Sequence, residues 1–151
     1  MTIQEIEQKL NECQKALAEL KESKKEKWKP KDGETYWYRN PNKTVYVRKW
    51  ANDEVDNALY NNTPIFPTQS KCEKYWHFMD TVKEKRYEFS KEEWEECKKR
   101  KYYIFYTYNN CCFKVYSDLH CKGFGTVYFK TIEDAQYIID NFKDELMEYC
   151  I

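Results

Sequence analysis

Two histidines and seven cysteines are the residues of this 151-residue chain that could support nucleophilic or metal chemistry. A hydroxyl or thiol nucleophile needs a positioned base, most often His. His77 stands between Trp76 and Phe78 in a helix-like segment, where a packed or surface imidazole is expected. His120 and Cys121 sit in the loop Asp118-Leu119-His120-Cys121-Lys122-Gly123, with Cys111 and Cys112 across a hairpin. That grouping could form a thiolate–imidazole cluster, but its spacing fits no zinc pattern and no Cys-x-x-Cys occurs. Cys111 and Cys112, read as neighbours in a strand, would point to opposite faces. Gly123-Phe124-Gly125 has neither the Lys nor the length of a phosphate loop and reads as a turn. Glu92, Glu93, Glu95 and Glu96 read as a solvated helix face. The residue types therefore point to no enzyme, no metal and no cofactor.

A second kind of chemistry is recognition by aromatic and basic side chains. Strand residues alternate between faces. In the run 102–108, Tyr102, Ile104, Tyr106 and Tyr108 share one face, and Tyr103, Phe105 and Thr107 share the other. In an earlier hairpin Val45 and Val47 oppose Tyr46, Arg48 and Trp50; in a later one Phe113 and Val115 oppose Lys114 and Tyr116. A sheet covered by one helix needs one apolar face. The other face, with Tyr46, Arg48, Trp50, Lys114 and Tyr116, is then a candidate partner-binding surface, because such rings bury large area and keep a polar handle. The same residues could stack unpaired bases, so single-stranded nucleic acid is the alternative ligand.

These side chains need sheets to carry them, and the sequence offers two. Tyr36-Trp37-Tyr38, a turn at Asn40-Pro41-Asn42-Lys43, Val45-Tyr46-Val47 and Ile65-Phe66-Pro67-Thr68 precede a helix-like segment. Tyr102 to Phe105, a turn at Asn109-Asn110, Phe113 to Tyr116 and Tyr128-Phe129-Lys130-Thr131 precede another. Both read strand, turn, strand, loop, short strand, helix, which is a tandem duplication. Thr68 and Thr131 are placed to cap the two helices. Cys72, Tyr75, Trp76, Met79 and Val82 are the expected core stripe of the first, and Ala135, Ile138, Ile139, Phe142 and Leu146 that of the second. Between them Ser90 and Glu93 begin a short helix bearing Trp94 and Cys97, followed by the basic run Lys98-Lys99-Arg100-Lys101.

Ahead of this body, Thr2 and Glu5 have capping-box spacing, and Ile3, Ile6, Leu10, Cys13, Leu17 and Leu20 recur at alternating spacings of three and four. That seam suits a helical partner, most simply a second copy, through Ile3, Ile6, Leu10, Leu17 and Leu20; packing on the chain's own body is the alternative. The expected fold is α+β: a coiled-coil-like helix in 1–27, a sheet-helix unit in 28–89, a linking helix in 90–101 and a second unit in 102–151, with antiparallel sheets.

The opening Trp28-Lys29-Pro30-Lys31-Asp32-Gly33-Glu34-Thr35-Tyr36-Trp37-Tyr38 and the closing Phe129-Lys130-Thr131-Ile132-Glu133-Asp134-Ala135 resemble small uncharacterised proteins of Gram-positive phages and prophages. Those proteins open a domain on Lys-Pro, Gly-Glu and an aromatic run, and close it on a Phe-x-Thr helix start. The resemblance implies a mobile-element origin and an accessory role. It leads to the expectation of a non-catalytic protein that binds and inhibits a bacterial host protein, such as a CRISPR-type defence nuclease.

Composition is compatible with this. Lys+Arg and Asp+Glu are both 26, so overall charge gives no support for non-specific nucleic-acid coating. Tyr (14), Phe (8) and Trp (5) replace much of the usual aliphatic content, which favours strands and contact surfaces. An odd cysteine count and a polar start at Met1-Thr2-Ile3-Gln4-Glu5 lead to the expectation of free thiols in the cytoplasm of an infected host, with no membrane contact.

Overall fold

The computed structural model describes residues 27–96, 98–119, 122–123 and 125–150. Ile3, Ile6, Leu10, Leu17 and Leu20 of the expected seam, and Cys97, His120 and Cys121, lie outside the described residues. The described chain is α+β, with five helices and two small antiparallel sheets.

The first sheet is a hairpin of β1 (Thr35–Arg39) and β2 (Val45–Lys49), with Tyr36 opposite Arg48 and Tyr38 opposite Tyr46. Its entry turn needs glycine: Gly33 has φ +82°, a region that costs other residues strain, and its N–H donates to Trp50 O at 2.9 Å. The connecting turn is held by Asn40, whose Oδ1 accepts from Thr44 N at 2.9 Å. Phe66 bridges Trp37 in antiparallel fashion, placing a third segment beside β1. Helix α1 (Glu54–Asn62) lies between β2 and that segment. Sequence reading gave no helix here.

Helix α2 (Gln69–Lys85) starts where Thr68 accepts from Lys71 N at 3.2 Å. Its buried residues are Cys72 and Phe78. The expected stripe is corrected at one position: Met79 is exposed, and Phe78 points to the core in its place. Arg39 grips α2 by a two-pronged ion pair to Asp80 (2.7 and 3.1 Å) and lies 3.9 Å over the Trp76 ring. Helix α3 (Lys91–Glu95) carries the expected capping box of Ser90 and Glu93.

The second sheet has the order β4-β3-β5, from β3 (Lys101–Thr107), β4 (Cys112–Asp118) and β5 (Tyr128–Phe129). Cys111 has φ 47° and belongs to the turn, so β4 begins at Cys112 and the two cysteines do not share a strand. Phe129 pairs with Tyr102 and is bridged by Arg86, while Tyr87 N donates to Tyr128 O at 2.8 Å. The end of the first half thereby extends the second sheet. Thr131 caps α4 (Ile132–Asn141) by accepting from Asp134 N at 3.1 Å, and α5 (Lys143–Tyr149) follows Phe142.

Two cores result. Phe78, Phe129, Ala135, Ile138, Phe142 and Leu146 pack against Tyr102, Ile104, Phe113 and Val115, the inner face of the second sheet. Tyr36, Trp50 and Ile65 pack with Tyr38, Leu59 and Tyr60. Among the described residues no helix is long and apolar enough to cross a membrane.

Candidate partner-binding face

The five residues singled out from sequence fall on different sheets and in different environments. Tyr46 is 45% exposed, its ring stacked on Tyr38 at 5.9 Å. Trp50 is 3% exposed, enclosed by Tyr36 and Tyr60 at 5.7 and 6.1 Å. It is a core residue, which corrects its expected place on an open face. The reason is α1, whose Leu59 and Tyr60 cover that side of the hairpin.

Arg48 is drawn into the same corner. Its Nη2 donates to Asp53 (2.6 Å) and its Nε to Asp56 (2.7 Å), so its charge is committed within the chain. Asp56 is fully buried and also accepts from Tyr36 Oη and Ala51 N, both at 2.7 Å. Burial alone would raise the Asp56 pKa; the hydrogen bonds from Tyr36, Ala51 and Arg48 outweigh it and bring the carboxyl down to about 2. Tyr36 is pushed well above the ordinary phenol range by burial and by that carboxylate. This cluster holds the hairpin to α1, whose N-cap is Asp53.

Lys114 and Tyr116 lie on the outer face of the second sheet, and here the arrangement is open. Tyr103 stands opposite Tyr116, and Phe105 opposite Lys114. Phe105 is 50% exposed and Tyr116 44%. The rings run in one chain of contacts. Phe105 meets Tyr116 at 5.5 Å, Tyr116 meets Tyr103 at 6.3 Å, and Tyr103 meets Tyr128 at 5.8 Å. Tyr128 then contacts Trp94 at 5.1 Å. Three of these contacts are edge-on and the Tyr103–Tyr116 pair is tilted, and together they set each ring against its neighbour. Exposed large rings held on a rigid sheet lose little entropy when covered.

Sequence reading missed two members of this face. Phe105 was placed on the right side of the strand but not selected, although strand alternation puts it beside Lys114. Lys101 was read as part of a basic run, yet it is fully buried. Its Nζ donates to Glu93 O (2.6 Å) and Leu119 O (3.3 Å) and sits 4.9 Å from the Trp94 ring. Two carbonyls and an aromatic face replace its hydration. Its position at i−2 from Tyr103 was the available signal.

The residues considered for catalysis are placed otherwise. His77 packs on Phe142, ring centres 5.2 Å apart. Cys72 is fully enclosed, and burial pushes its thiol up to about 11, which keeps it protonated. A cleft of about 690 Å³ lies elsewhere, lined by Trp28, Phe66, Tyr75 and Tyr149 with Lys71 and Glu148 among its charged groups. No family model, no curated protein and no solved structure matches this chain.

Proposed function

We propose that the chain is a non-catalytic binding protein that grips a partner protein through the outer face of its second sheet. The observation that carries this reading is the exposed pair Phe105 and Tyr116 around Lys114, braced from behind by Tyr103 and Tyr128. Tyr46, exposed on the first sheet, offers a second point of contact, whereas Arg48 and Trp50 act as its internal support. The resemblance to phage and prophage proteins supports a bacterial host protein as partner and inhibition as the outcome, with a CRISPR-type nuclease as the target class and the host cytoplasm as the setting.

A tandem duplication accounts for the architecture. In each half the third segment pairs with the first strand, Phe66 with Trp37 and Phe129 with Tyr102, and a threonine then caps the helix. Insertion of α1 in the first half is what covers its aromatic face and leaves that of the second half open. Self-association through Ile3, Ile6, Leu10, Leu17 and Leu20 remains part of the proposal.

One observation favours single-stranded nucleic acid as a second reading: Lys114 stands opposite Phe105 on a sheet face with exposed rings, as in base-stacking platforms. Salt separates the two. Capture from a Gram-positive bacterial lysate is expected to yield a protein that survives nuclease and is held with little change between low and physiological salt. Recovery of nucleic acid alone, with affinity falling steeply as salt rises, would overturn the protein-binding reading.

A further inference from the structure

A cavity of about 350 Å³ opens beside β5, lined by Tyr87, Phe89, Trp94 and Tyr128 together with Arg86 and Lys122. Main-chain pairing builds it. Arg86 bridges Phe129 and Tyr87 N donates to Tyr128 O, so the segment leaving α2 runs against β5. The box of Ser90 and Glu93 then starts α3, which brings Trp94 onto Tyr128. The four rings meet edge to face in succession: Tyr87 and Phe89 at 4.7 Å, Phe89 and Trp94 at 5.9 Å, Trp94 and Tyr128 at 5.1 Å. Tyr128 Oη accepts from Gly123 N at 2.7 Å, which fixes the main chain next to Lys122.

We propose that this cavity binds a free mononucleotide-like anion, one planar heteroaromatic ring carrying a phosphate. A box of aromatic rings suits either a quaternary ammonium or a planar ring. Charge decides between them. The buried Lys101 ammonium already lies 4.9 Å from the Trp94 ring centre and 5.7 Å from that of Phe89, without itself lining the cavity. Arg86 and Lys122 line the wall, and Lys130 stands 5.2 Å over the Tyr87 ring. Glu88 is the one carboxylate among the described lining residues. Its side chain is 84% exposed and 3.4 Å from Arg86, a solvated pair that holds Arg86 weakly. Glu93, nearby, is turned to Ser90 N (3.0 Å) and Tyr87 Oη (3.4 Å). A cationic ligand would therefore meet like charge, whereas a ring with a phosphate meets aromatic walls and the two groups that bind phosphate best. The volume is at the small end of ligand sites, which suits one ring system and one anionic group. Phe105, Lys114 and Tyr116 do not line the cavity, so the site stands apart from whatever the exposed face binds.

The test is an amide chemical-shift titration of the full chain by NMR, with adenosine and uridine 5′-monophosphates as probes. At least one is expected to bind with a Kd of about 100 µM or below, within reach of a ligand of that size, and to shift the amides of residues 86–89 and 127–128. The matching nucleoside, which lacks the phosphate, should bind at least about tenfold more weakly, because the charge-assisted contacts are lost. Arg86→Ala combined with Lys122→Ala should weaken the nucleotide at least about tenfold and leave the nucleoside within about twofold, a split that general loss of structure does not produce. Both side chains are exposed, and circular dichroism checks the fold. Absence of saturable shifts from both nucleotides at about 1 mM would overturn the proposal, as would shifts confined to residues outside the cavity. So would equal affinity for nucleotide and nucleoside, tighter binding of tetramethylammonium, or a short single-stranded oligonucleotide bound more than about tenfold more tightly than the mononucleotide, which would make the cavity part of a nucleic-acid path.

Discussion

Replacing Asp56 with alanine is expected to cost about 3–4 kcal/mol of stability, the penalty for leaving several buried partners of one carboxylate unpaired. The carboxylate accepts from Tyr36, Arg48 and Ala51 N, all within 2.7 Å, with no exposure to solvent. Removing it leaves a buried phenol and a backbone N–H without acceptors and an arginine facing an empty site. Urea unfolding followed by circular dichroism measures the loss. The same group governs acid stability. Its folded pKa, about 2, lies below the value near 4 of an unfolded aspartate, so its contribution is complete above about pH 4 and fades as pH falls towards 2. Between those values the wild type should lose stability more steeply than Asp56→Ala. Parallel acid profiles for the two proteins would show that the corner adds nothing.

The other large effect is expected at Phe129. Phe129→Ala should destabilise by about 3–5 kcal/mol, through lost burial and the cavity left behind. Phe129 is 2% exposed and joins three things at once: it pairs with Tyr102, is bridged by Arg86, and packs in the cluster with Phe78, Ala135 and Ile138. Single-domain stabilities are about 5–15 kcal/mol, so this one change removes a large fraction. Urea midpoints measure it. A cost below about 1 kcal/mol would mean that the site collapses freely and that the sheet and helices are not locked together by this ring.

Much of the scaffold was legible because each element carried its own local signal. Thr68, Thr131 and the Ser90/Glu93 box mark helix starts through donors they satisfy themselves, and the structure has all three. The α4 and α5 stripe of Ala135, Ile138, Phe142 and Leu146 is likewise a local pattern. What escaped depended on weak local signals resolved by tertiary contact. The α1 sequence Glu-Val-Asp-Asn-Ala-Leu-Tyr-Asn-Asn has several asparagines and little apolar repeat. Its start is marked only by Asp53, with Asp56 three residues on. Missing α1 made Trp50 and Arg48 look available, since nothing else in the sequence covers that face. Met79 and Phe78 differ by one helical position, about 100° of rotation, which periodicity over a single helix does not resolve.

Half of the candidate face followed from alternation alone, and half did not. Lys114 and Tyr116 were legible because β4 alternates cleanly. Phe105 became visible as a member only when the register set it against Lys114. Lys101 shows the opposite case: it stands at the end of a basic run, and two carbonyls and the Trp94 ring hold it inside.

The most direct test of the binding reading compares three forms of the full chain in capture from nuclease-treated bacterial lysate: wild type, Phe105→Ala with Tyr116→Ala, and Tyr137→Ala. Tyr137 is 44% exposed on α4, so it controls for loss of a surface ring. Two central aromatic anchors are each worth about 2 kcal/mol or more in an interface. The expected result is a protein partner retained by wild type and by Tyr137→Ala, and bound at least about 100-fold more weakly by the double variant with its fold intact by circular dichroism. Equal capture by all three forms would contradict the account.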